Sequence, residues 1–131
     1  MKEAVRSWMA QNARVPGVLA YGVRFPDKSS LNESYSPEFP LVAMENAWRC
    51  VADTYQVLTL HRLPVARMNW MYERSLLTCV RRNDGIILGL FLTSRERNRD
   101  TCNLERLVAE FQSLERSPSP ATAGVVPTPQ P

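Results

Sequence analysis

The chain has one histidine, two lysines, three cysteines and five glycines among 131 residues. Each shortage excludes something. His61 stands alone, and no Cys or Ser has a spacing to it that suggests a nucleophilic dyad. At an expected helix end it can meet free backbone carbonyls, which points to a capping or interface role. Cys50, Cys79 and Cys102 are too widely spaced for a zinc knuckle or a Cys-x-x-Cys pair. Their odd number also argues against an internal disulfide framework, so reduced thiols are expected. Cys50 reads as a small helical interface residue and Cys79 as core. Gly17, Gly22, Gly85 and Gly89 are scattered and form no phosphate loop; they fit turns or close sheet packing. Asp27, Glu33 and Glu38 lack metal-ligand spacing. The expectation is a protein without cofactor, without metal and without catalytic machinery.

Lysine is scarce because fourteen of the sixteen basic residues are Arg. The net charge of +3 is small, and acids are interspersed, as in Arg95-Glu96-Arg97. A nucleic-acid binder carries a denser basic stripe, so no nucleic-acid partner is expected. The start, Met1-Lys2-Glu3-Ala4, has an early acid and no apolar segment, unlike a signal peptide. The longest apolar run is strand-sized, well short of the roughly 20 residues that span a bilayer. A cytoplasmic protein with no membrane insertion is the expectation. From Ser117 onward there is no charged side chain, and five prolines fall in fifteen residues. That composition cannot bury a core. The expected division is one domain over 1–116 and a disordered Pro-rich tail over 117–131.

What is present is a clear order of elements. Residues 1–13 have helical period, with Met1, Val5, Trp8, Met9 and Asn12 on one side. Val15-Pro16-Gly17 ends that helix. Residues 18–25 read as an apolar strand, and 31–35 as a short polar edge strand. Pro40 suits the first turn of the next helix, 41–61. Its stripe is Leu41, Met44, Trp48, Val51, Ala52, Tyr55 and Leu58. Ala43, Ala47, Cys50, Thr54, Val57 and His61 recur on another side with spacing 4-3-4-3-4. That seam of mostly small residues suits close approach of a second helix. Two apolar stripes on one helix ask for two partners, which favours a seam over small residues placed there by chance.

Residues 65–73 alternate, with Ala66, Met68, Trp70 and Tyr72 apolar. Residues 75–82 form another strand, and Asn83-Asp84-Gly85 gives a hairpin signal. Residues 86–92 are apolar throughout and read as a strand buried on both faces. A last helix begins at Asp100 or Thr101 with the stripe Leu104, Leu107, Val108, Phe111 and Leu114. The long apolar strands must be central and the polar and alternating ones peripheral. The fold class is therefore α+β: a five-stranded antiparallel sheet in the order second-first-fifth-fourth-third. One helix, 41–61, should cover one face, and the two terminal helices the other.

This order resembles the roadblock/LC7 family, over about residues 1–115. The opening helix with Val15-Pro16-Gly17-Val18-Leu19-Ala20, the long helix from Leu41, the strand from Val65 and the hairpin leading to Ile86-Ile87-Leu88 carry the resemblance. The turn at Pro26 to Ser30 departs from it, since relatives usually carry a glycine there. The closing helix looks more like bacterial gliding-type members than dynein light chains. The resemblance implies a dimer, with itself or another roadblock subunit, through the strand equivalent to 65–73 and the long helix. It also implies a small Ras-like GTPase as partner, or else an adaptor role without nucleotide control. Ala43, Ala47, Cys50, Thr54, Val57, Met68, Trp70 and Tyr72 are the candidate dimer residues; Trp70 is open to a core role as well. Topology places Arg74 near the loop carrying Arg95, Arg97 and Arg99. That edge is either a docking site for an acidic protein surface or a solvated rim.

Overall fold

The computed structural model describes residues 2–12, 15–63, 65, 67–95 and 99–114. Its elements are α1 (Lys2–Gln11), β1 (Val18–Arg24), β2 (Ser30–Ser34), α2 (Leu41–Leu60), β3 (Arg67–Met71), β4 (Ser75–Arg81), β5 (Ile87–Thr93) and α3 (Thr101–Ser113). The sheet order is β2-β1-β5-β4-β3, and every pairing is antiparallel. The expected order is thus met, for the expected reason. β1 and β5 carry the apolar runs that need cover on both faces, and they hold inner positions.

Alternation along β5 separates two cores. Ile87 and Phe91 face α2, where Met44, Trp48, Val51 and Tyr55 pack on Ala20, Leu77 and Cys79. Leu88, Leu90 and Leu92 face the other way, against Val5, Trp8 and Met9 of α1 and Leu104, Leu107, Val108 and Phe111 of α3. Gly22 and Gly89 are register partners under the Trp48 ring. A Cβ on either would overlap that ring, so the glycines form a notch that lets α2 sit close. The Trp48 indole N–H donates to Asn32 Oδ1 on β2, which gives a buried polar group its partner.

Several boundaries differ from expectation. The strand expected over 65–73 is described as Arg67–Met71, and it stops at Met71 because the Tyr72 N–H donates to the Ser75 carbonyl at 2.8 Å and closes a turn. Pro40 is the N-cap and not part of the first turn; its extended ψ of 153° leaves its carbonyl to accept from Met44. α2 ends at Leu60 in a Schellman arrangement, with Arg62 N–H donating to Thr59 and Leu63 N–H to Leu58. Arg62 holds the left-handed position there, at φ 59°. His61 caps α2 through its backbone, and its side chain is exposed. In the β4–β5 hairpin the positive φ falls on Gly85 alone, at 89°. The β1–β2 turn lacks a glycine, and Lys28 takes φ 75° in its place. Asp100 caps α3, its carboxylate accepting from the Asn103 N–H at 3.1 Å. Ala66, Arg97 and the tail 117–131 lie outside the described residues.

Candidate interaction surface

β3 is an edge strand. Its inner side pairs with β4, from Arg67↔Val80 to Met71↔Leu76, and its outer side has no strand partner among the described residues. Met68 and Trp70 are half-buried against the core beneath α2. Trp70 therefore packs on the core while part of it remains at the edge. Met71 points to the other face and is 87% exposed. Tyr72 sits in the turn, half exposed, its ring 6.5 Å from that of Phe91. Burial raises the Tyr72 phenol above its ordinary value, and the Cys79 and Cys50 thiols nearby add to the shift.

Along α2, Ala43, Cys50 and Val57 are exposed and Ala47 and Thr54 half-buried. The Thr54 hydroxyl donates to the Cys50 carbonyl at 2.9 Å, so it is satisfied within the helix. Leu41, Val42, Val57 and Leu60 are large apolar residues left exposed on the same helix.

The path of the chain can be compared with known structures. The gliding protein MglB from Thermus thermophilus superposes with a TM-score of 0.62 at 13% identity, over 85% of this chain and 84% of that one. MglB in a tetrameric arrangement gives 0.61 at 14% identity, over 86% and 84%. A roadblock/LC7 domain from Streptomyces avermitilis gives 0.54 at 14% identity, over 79% and 87%. This chain has the roadblock/LC7 fold. At such identities the likeness concerns the fold alone. No protein-family model matches the sequence, and no curated protein matches it.

On this roadblock/LC7 framework the expected Arg edge is only partly assembled. Ser75 is the register partner of Thr93, so the β3–β4 turn and the end of β5 share one end of the sheet. Arg74 lies there, exposed, 3.9 Å from Glu73. Arg95 is exposed, its N–H donating to Thr93 Oγ1. Arg99 is half-buried and lines a groove of about 610 Å3 between α3 and the β3–β4 face. The groove is bordered by a two-pronged ion pair, Arg67 to Glu105 at 3.1 and 2.9 Å. The Arg67 hydrogen bonds hold the Glu105 carboxyl below its ordinary value. Arg97 lies outside the described residues.

The thiols divide by burial. Cys79 is inside the α2-side core, and burial pushes its thiol up to about 12; Cys50 and Cys102 are exposed. Among the described residues, no group of three or more His, Cys, Asp or Glu is placed to hold a metal ion, and no helix is long and apolar enough to cross a membrane. A set of cations at the opposite end of the sheet has no counterpart in the sequence reading: Arg24, Lys28, Arg49, Arg62 and Arg81. They are spread from β1 to β4, so no local motif marks them. Pairing the hairpins in register would have been the only signal.

Proposed function

We propose that the chain is a non-enzymatic, dimeric interaction module that binds a small Ras-like GTPase and regulates or tethers it. The observation that carries the dimer is the coincidence of two unsatisfied surfaces. An edge strand with no strand partner on its outer side among the described residues carries Met68 and Trp70, which pack on the same core cluster as Ala47 of the small-residue helix flank. A strand edge of this kind is an aggregation hazard unless it is covered. A two-fold contact joining β3 to β3 and α2 to α2 covers both at once, and isologous contacts are the commonest in oligomers. Ala43, Ala47, Cys50, Thr54 and Val57 form the helix half of the interface, and Met68, Trp70 and Tyr72 the strand half.

The GTPase reading rests on the roadblock/LC7 resemblance, joined by the fold likeness to the gliding protein MglB. Arg74, Arg95, Arg97 and Arg99 supply the charge that docks an acidic partner surface. The module acts by positioning the partner's loops and contributes no nucleophile. Light scattering on the purified chain tests the dimer. Capture from native lysate, with and without a GTP analogue, tests the partner. A dimeric mass and capture of a small GTPase that changes with the analogue are expected. A monomer defeats the dimer, and a bound protein indifferent to nucleotide returns the adaptor reading.

A further inference from the structure

The end of the sheet that carries the β1–β2 and β4–β5 hairpins is cationic on its α2 face. Register shows how. Arg24 of β1 and Arg81 of β4 are both partners of Ile87, which lies between them on β5. Directly opposed residues share a face of the sheet, and Ile87 belongs to the core beneath α2. Arg24 and Arg81 therefore flank Ile87 on one rim, two strand spacings or about 10 Å apart. α2 adds cations above that rim. Arg49 joins Arg24 and Lys28 around a pocket of about 270 Å3. Arg62, just past the helix end, joins Arg81 around one of about 440 Å3. Arg24, Lys28, Arg49, Arg62 and Arg81 have no ion-pair partner among the described residues. The nearby acids Asp84 and Asp27 are engaged by Arg82 and Lys2. Among the described lining residues, Glu45 is the one carboxylate of the two pockets.

The larger pocket pairs this charge with an apolar wall. Leu63, half exposed, and Val65 line it beside Arg62 and Arg81. Guanidinium forks match carboxylates with two parallel hydrogen bonds, and the apolar wall suits a neighbouring aliphatic side chain. No aromatic ring is among its described lining residues, so it offers no platform for stacking nucleic-acid bases. A membrane-binding surface presents a row of large apolar anchors among its cations, whereas Leu63 is the one half-exposed apolar side chain among the described lining residues here, with Val65 partly buried beside it.

We propose that this rim docks an acidic peptide segment of a partner protein. A carboxylate sits between Arg62 and Arg81, and an adjacent aliphatic residue lies on Leu63 and Val65. Arg24, Lys28 and Arg49 extend the attraction along the segment. None of these residues belongs to the α2 seam or the β3 edge, so the proposal stands apart from the dimer and GTPase readings.

Arg62 supplies a test that separates binding from folding. Its φ of 59° favours glycine. If the side chain had only a structural role, Arg62→Gly would improve the protein and change nothing else. The probe is a fluorescein-labelled peptide with an Asp-Glu-Leu-Asp block in a Gly-Ser context, read by anisotropy on the full chain. Saturable binding is expected, weakened about tenfold by Arg62→Gly, the size of one charge-assisted hydrogen bond. The same variant should melt about 2–4 °C higher. Arg81→Gln should weaken binding similarly, and Arg6→Gln, on α1, should leave it unchanged. Binding should fade in about 0.5 M salt. The proposal is overturned if the peptide does not bind, if Arg62→Gly binds as wild type, or if an Asn-Gln-Leu-Asn peptide binds equally. It is also overturned if phosphatidylserine vesicles bind through Arg62 while the peptide does not.

Discussion

The two flanks of α2 are made of opposite materials. On the side near Tyr72 run Ala43, Ala47, Cys50, Thr54 and Val57, small or apolar and with no cation among them. On the other side stand Glu45, Arg49 and Thr59, facing pockets lined by Arg24, Lys28, Arg62 and Arg81. Between them the stripe Met44, Trp48, Val51 and Tyr55 is buried in the sheet. Small side chains let a second helix approach to the 8–10 Å of ordinary helix packing. Long charged ones hold it off and keep their heads in water. The same helix can therefore serve a close, apolar contact on one flank and a wet, electrostatic one on the other.

The buried stripe is what holds the flanks apart, and removing its largest member is the harshest test. Trp48 is 2% exposed, fills the notch over Gly22 and Gly89 and bonds to Asn32. Trp48→Ala should cost about 3–5 kcal/mol of stability, as large-to-small changes at buried aromatics do. Both flanks should then fail together, with dimerisation and peptide binding lost in proportion to unfolding. Urea denaturation measures it; a loss below about 1 kcal/mol would show that α2 is held by something other than this stripe.

The next test acts on the apolar flank alone. Ala47→Arg places a guanidinium in the small-residue seam, opposite or nearly opposite its symmetry mate. The steric and like-charge cost to association should be several kcal/mol, on the order of a buried unpaired charge. Light scattering should show a dimeric wild type and a monomeric variant that keeps the folded circular-dichroism spectrum, because position 47 lies outside the fully buried stripe; its melting temperature should fall only by what association contributed. Cys50 sharpens the result. In the variant, Cys50 and Cys102 should react quickly with a thiol reagent and Cys79 should not, since burial raises its thiol to about 12. In the wild-type dimer Cys50 should slow as well. An equally tight dimer in Ala47→Arg would remove the seam from the interface.

This contrast was half legible in the sequence. The seam shows because helical period is local: spacing 4-3-4-3-4 is visible within one segment. Sheet order was legible because 18–25 and 86–92 lack the polar alternation that an edge requires. Strand limits were less so. The alternation of 65–73 continues through Tyr72, but the hydrogen bond that closes the turn depends on Ser75 and leaves no mark on polarity. The basic flank was not legible at all. Arg24 and Arg81 become neighbours only through Ile87, and their rim forms only once both hairpins are in register. Arg74, Arg95 and Arg99, by contrast, could be placed at one end because the turn and the loop that carry them follow directly from strand order.

The Arg edge near the apolar flank gives a milder effect. Charge reversal of Arg74 and Arg95 together should weaken capture of an acidic partner about tenfold, through slower association, and added salt should do the same to the wild type. Both side chains are solvent-exposed, so stability should change by less than about 0.5 kcal/mol. Unchanged capture in both experiments would make these residues a solvated rim.

The smallest effect comes from the backbone at the cationic end. Lys28 holds φ 75° in the β1–β2 turn, and Gly85 holds φ 89° in the β4–β5 hairpin beside it. The two loops touch: a Cβ on Gly85 would lie 3.2 Å from Pro26 Cγ. The left-handed region costs an L-residue roughly 1–2 kcal/mol, while a glycine adds unfolded-state entropy worth about 0.4–1 kcal/mol. Lys28→Gly gives up the first cost and takes on the second, so it should gain about 0.5–1 kcal/mol, or about 2–4 °C in melting temperature. Gly85→Ala makes the reverse trade and adds the approach to Pro26, so it should lose about 1 kcal/mol or somewhat more. The pair is read by thermal unfolding at low salt and again at high salt. If Lys28→Gly gains only at low salt, the gain is relief of repulsion among Arg24, Lys28 and Arg49 and not of strain. A gain that survives salt assigns it to the left-handed backbone at Lys28 and not to the charge of this flank.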